Sequence, residues 1–86
     1  MSKARILLVD DEAGISLSMK INLERTGRYE VRTENRAPNA LATARLFRPD
    51  IIIMDLMMPE MEGGEVANQM AADPDLTAVP IVSKRT

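Results

Sequence analysis

The sequence predicts an α/β fold, a parallel sheet with helices on both faces, on three observations. Two runs of branched apolar residues, 6–9 and 51–54, lead straight into the acids Asp10 and Asp55. Neither run shows the polar alternation of a half-solvated strand, so both read as strands buried on two faces. Segments with apolar residues at helical spacing lie between these runs and two weaker ones, so strands and helices alternate. Gly27, Pro49, Pro59 and Pro74 fall between the segments and punctuate them. Right-handed crossovers between parallel strands then place helices on both sides of the sheet.

Each element follows from its residues. The first strand covers Arg5 to Asp10. In residues 13–26, Ile15, Met19 and Leu23 recur every four positions and make one helical face, and Gly27 supplies the stop. Residues 29–33 alternate as a short second strand. Pro38 suits a helix start, with Ala40, Leu41, Ala44 and Phe47 as its apolar face and Pro49 as its end. Residues 51–55 form the third strand. Pro59, Gly63 and Gly64 mark a loop, and Val66, Ala67, Met70 and Ala71 form a third helical stripe that Asp73-Pro74-Asp75 breaks. Pro80-Ile81-Val82 opens a fourth strand, which gives the order β-α-β-α-β-α-β.

Composition narrows the chemistry. A chain of 86 residues, 45% hydrophobic, makes one small domain. Its 11 Lys+Arg against 13 Asp+Glu leave a net charge of −2, which argues against direct nucleic-acid binding through a basic surface. Cys 0 and His 0 exclude disulfide scaffolds, Cys/His zinc sites, thiol nucleophiles and His general bases. No apolar run approaches the length of a membrane span, and the first residues lack a signal-peptide layout. A soluble cytoplasmic protein is the expectation. The methionines near Asp55 (Met54, Met57, Met58, Met61) read as core and loop residues, since no Cys or His accompanies them.

The chemistry therefore rests on carboxylates. The first strand ends in Asp10 and Asp11 and the third in Asp55. Ligands of open parallel sheets bind beyond the carboxyl ends of the strands, at the switch point. If those two strands are neighbours, three like charges converge and call for a cation. Mg²⁺ suits such an oxygen-rich site together with waters and a phosphate, and a carboxylate can attack phosphorus to form an acyl phosphate. Asp10, Asp11 and Glu12 also precede a helix, where acids cap amide groups, so the first pair alone has a purely structural explanation.

Leu7-Leu8-Val9-Asp10-Asp11-Glu12 and Asp55-Leu56-Met57-Met58-Pro59-Glu60-Met61-Glu62-Gly63 resemble the two signature segments of bacterial two-component response-regulator receiver domains. Residues 48–55 and, more weakly, Pro80-Ile81-Val82 are also similar to the family pattern. The resemblance implies a flavodoxin-like, doubly wound sheet with strand order 2-1-3-4-5. It implies that Asp55 is the phosphoacceptor, that Asp10, Asp11 and Asp55 bind Mg²⁺, and that Met57 contributes its backbone carbonyl. Pro59 and Gly63 would shape the loop. The phosphodonor would be a sensor histidine kinase, which supplies the histidine that this chain lacks. The expected role is a phosphotransfer signalling domain rather than a turnover enzyme.

The chain also departs from the family. A receiver has five βα units, and this sequence ends at its fourth strand, so it reads as a single incomplete receiver over residues 1–86, with about four strands and three helices. The fifth-strand Lys that pairs with the phosphoryl group has no evident substitute. Lys84 lies on another strand and reads as a solvated terminal charge. The switch hydroxyl of the family falls on Arg85; Thr86 is one residue late and Ser83 two residues early, so neither maps cleanly. An uncovered fourth-strand edge invites pairing. On the first helix, Leu17 and Ile21 form a second apolar pair away from the main stripe. Both features suggest a contact surface, for a second copy of this chain in a homodimer or for a partner helix. The alternative function is a degenerate receiver that binds or dimerises without phosphorylation. A haloacid-dehalogenase-type phosphohydrolase would need an Asp two residues after the nucleophile, where this chain has Met57.

Overall fold

The computed structural model describes residues 2–55, 57, 58 and 63–84. Four strands, β1 (Ala4–Val9), β2 (Tyr29–Glu34), β3 (Ile51–Asp55) and β4 (Ile81–Lys84), form one sheet. All neighbours pair in parallel, in the order β2-β1-β3-β4. This is the expected order as far as it runs. Three helices connect the strands: α1 (Ala13–Arg25), α2 (Ala40–Phe47), entered through a 3₁₀ turn at Ala37–Asn39, and α3 (Gly63–Ala72).

The unbroken apolar character of β1 and β3 follows from burial on both faces. Leu7, Val9, Ile52 and Met54 point to one side, into a core shared with Ala40, Ala44 and Phe47 of α2 and Val66 and Met70 of α3. Ile6 and Leu8 point to the other, where they meet Val31, Met19 and Leu23 beneath α1. β2 reads as an alternating strand because it lies at the sheet margin.

The α1 face differs from expectation in one residue. Met19 and Leu23 pack inward, but Ile15 is exposed and the buried member of the first turn is Ser16. Ser16 tolerates burial because its hydroxyl donates to Ala13 O (3.1 Å) and accepts from Asn35 Nδ2 (2.9 Å). Leu17 (54% exposed) and Ile21 (48%) stand in solvent as the spacing suggested, joined by Val82 of β4.

Helix ends are set by two left-handed residues. Gly27, at φ 78°, closes α1 and donates its N–H to Glu24 O at 3.0 Å. α2 ends two residues before its proline: the next residue, Arg48, at φ 55°, donates to Ala44 O at 2.9 Å, and Pro49 then blocks continuation. The outer margin of β2 is closed by α1 side chains. Glu24 accepts the Val31 N–H (3.1 Å) while Lys20 donates to Val31 O (2.9 Å) and to Glu24 (2.8 Å). Arg32, exposed on β2, lies over the Phe47 ring at 5.1 Å.

The Asp73-Pro74-Asp75 break does more than end α3. Asp73 is buried, its Oδ2 accepts from Arg45 Nε at 2.6 Å and its Oδ1 accepts the Asp75 N–H at 2.8 Å. The Asp75 amide and the Arg45 side chain outweigh burial and hold the Asp73 carboxyl below its ordinary value. A lowered carboxyl pKa adds stability above the unfolded-state value and loses it as pH falls through the folded one. Asp73→Asn is therefore expected to melt below the wild type at neutral pH. The gap should narrow as pH drops below about 4, as read by thermal denaturation over a pH series.

Candidate functional site

Strand register builds the site. Val9 of β1 pairs with Met54 of β3, so the residues that follow, Asp10 and Asp55, stand side by side at the carboxyl end of the sheet. The chain reverses direction across the sheet between β1 and β3, because β2 lies outside β1 and β4 outside β3. The acids thus lie at the switch point, where ligands of such sheets bind.

Each strand-end acid folds its own loop. Asp10 Oδ1 accepts the Glu12 N–H at 2.9 Å, and Asp55 Oδ1 accepts the Met57 N–H at 2.9 Å. These are Asx turns, in which a short side chain stands in for a backbone acceptor. Glu12 is the N-cap of α1 and makes no side-chain capping bond, so the acid that caps an amide at the helix entrance is Asp10. Asp10 is further anchored through its backbone: its N–H donates to Glu34 O (3.1 Å) and its carbonyl accepts from Asn35 Nδ2 (2.8 Å). Asn35, just beyond β2, thereby ties the β1 end to Ser16 of α1.

Asp10 and Asp55 are fully buried and Asp11 is half-buried. One carboxylate oxygen from each lies within 4.8 Å of the others. That spacing and all-oxygen donor set fit a hard divalent cation such as Mg²⁺. Met57 follows on the loop with its side chain exposed, and Met58 is buried. Ser83 is exposed and pairs with Met54, one residue short of the acidic level. Thr86 and Pro59 lie outside the described residues.

Lys84 departs most clearly from expectation. It is not a solvated terminal charge. Its side chain is only 19% exposed and its ammonium is ion-paired with Asp10 Oδ2. The cause is again register: Asp55 pairs with Lys84 across β3 and β4, so Asp10, Asp55 and Lys84 lie on three successive strands at one level. Burial disfavours the Asp10 anion, but Lys84, the Glu12 amide and Asp55 together outweigh it and keep the carboxyl below its ordinary value. A spacing count from Pro80 could have signalled this placement, had the β3–β4 register been known.

The response regulator receiver domain family matches residues 6–86. The chain belongs to that family. This receiver is 42% identical over 66 residues to the alkaline phosphatase synthesis transcriptional regulatory protein PhoP of Bacillus subtilis, covering 77% of the chain and 27% of that protein. It is 44% identical over 81 residues to the response regulator PleD of Caulobacter vibrioides, covering 92% of the chain and 17% of the relative. The chain spans less than two thirds of the length of either relative. Among solved structures, chemotaxis protein CheY4 of Vibrio cholerae superimposes with a TM-score of 0.89 at 34% identity, over 95% of this chain and 68% of that one.

Three carboxylates gathered this closely repel one another in the receiver without metal. Asp55→Asn keeps an acceptor for the Met57 N–H and removes one charge. It is expected to raise stability by about 1 kcal/mol in the presence of a chelator, measured by denaturant unfolding.

Proposed function

We propose that the receiver accepts a phosphoryl group on Asp55, with Mg²⁺ held by Asp10, Asp11, Asp55 and the Met57 backbone carbonyl. The observation that carries this reading is the approach of the three carboxylates to within 4.8 Å at the switch point of the sheet. The donor is a phosphohistidine on a sensor histidine kinase. The N–P bond of the donor breaks as an Asp55 carboxylate oxygen forms the new O–P bond, giving an acyl phosphate. The Met57 N–H fixes the rotation of the Asp55 carboxylate, and burial keeps bulk water away from it. Mg²⁺, when bound, offsets the charge of the acids and of the transferring group. The chain works as a phosphotransfer signalling module in the cytoplasm rather than as a turnover enzyme, with Ser83 or Thr86 as candidate switch hydroxyls.

A second property rests on the surface. β4 has no strand on its outer side among the described residues, and Leu17, Ile21 and Val82 are exposed on the α1 side. These features support self-association through the β4 edge or the α1 face. Light scattering at micromolar concentration is expected to show a dimer, and Leu17→Glu with Ile21→Glu to weaken one built on α1.

Incubation with Mg²⁺ and acetyl phosphate, or beryllofluoride, is expected to give an adduct that peptide mass spectrometry or NMR assigns to Asp55 and that Asp55→Asn lacks. Asp11→Asn should lower Mg²⁺ affinity at least roughly tenfold, the lower end of what losing even an outer partner costs a metal site. A folded protein that forms no adduct would point to the phosphorylation-independent binding module.

A further inference from the structure

Lys84 reaches the acidic cluster from β4, and its ammonium is ion-paired with a residue that is itself fully buried. Asp10 has two oxygens. Oδ1 is turned to the Glu12 N–H, and Oδ2 is buried, takes no hydrogen bond of good geometry, and faces Lys84. The oxygen that Asp10 would present to a cation is thus the one against which Lys84 stands.

We infer that Lys84 is a tethered counter-ion that competes with the divalent cation for Asp10. In the metal-free protein its ammonium takes up part of the charge of the three carboxylates, which lets Asp10 and Asp55 remain buried without metal. A divalent ion enters only as the Lys84 side chain turns out of the cluster. The rim position of that side chain, partly open to solvent at 19%, gives it somewhere to go without unfolding β4. The cost of the exchange is set against the binding of the ion. The receiver therefore holds Mg²⁺ more weakly than its three carboxylates alone would, and metal occupancy and Lys84 position are two readings of one equilibrium. The inference rests on the reading of the cluster as a divalent-cation site.

The test is Mg²⁺ titration calorimetry on the full chain, comparing wild type with Lys84→Met and Lys84→Arg. Removal of the competing charge is expected to tighten Mg²⁺ binding about tenfold, while the Arg variant stays within about twofold of wild type. Equal or weaker binding by Lys84→Met overturns the inference and leaves the metal site standing. Absence of Mg²⁺ binding in wild type and variant alike overturns both. Binding by Lys84→Met alone supports the inference most strongly. If Lys84→Met does not fold, wild type decides by amine labelling, with exposed Lys3 as the internal reference. Mg²⁺ should speed modification of Lys84 relative to Lys3, and an unchanged ratio overturns the inference.

Discussion

Three like charges held at one end of a sheet are the constraint around which the rest of this receiver is arranged. The pairing of Val9 with Met54 makes Asp10 and Asp55 neighbours, and their burial removes the water that would screen them. A register shift of one residue in β3 would turn Asp55 to the opposite face and leave Asp10 without it. Register is strongly specified here because β1 and β3 bury side chains on both faces: a slip would also exchange Ile52 and Met54 with Ile51 and Ile53 between two differently shaped cores. The hydrophobic pattern of the two central strands thus determines the position of the polar chemistry at their ends.

The site is stabilised by local amides and by a distant cation. Asp10 and Asp55 each accept an N–H two residues ahead, which turns the chain away from the strand and fixes the carboxylate. Asn35 and Ser16 connect the β1 end to β2 and to α1, so the loop that carries Asp11 is held at both sides. Lys84 supplies positive charge from β4. The same economy of buried charge recurs away from the site, where Asp73 and Arg45 join the end of α3 to α2. Asp10 and Asp73 are each buried where an amide and a cation meet them.

The elements and the acids were legible in the sequence because both depend on short-range pattern. Apolar runs ending in acids reveal buried strands and their functional ends, and the four-residue spacing of Met19 and Leu23 reveals the inner face of α1. What escaped depends on partners far apart in the chain. The burial of Ser16 requires Asn35, nineteen positions on; the role of Asp73 requires Arg45, twenty-eight positions back. Lys84 looked like a solvated terminal charge because its surroundings are created entirely by the β3–β4 register, which no local pattern announces.

The central claim is that β1 and β3 together create one cation site at the switch point of the sheet. Paramagnetic broadening by substoichiometric Mn²⁺ in an amide NMR spectrum tests it most directly, because the effect falls steeply with distance from the ion. The account predicts that the amides of Asp10, Asp11, Glu12, Asp55, Met57 and Lys84 broaden first and together. Broadening that begins instead at other acids, such as Glu30 or Asp75, or that spreads evenly over the acidic surface, would contradict it.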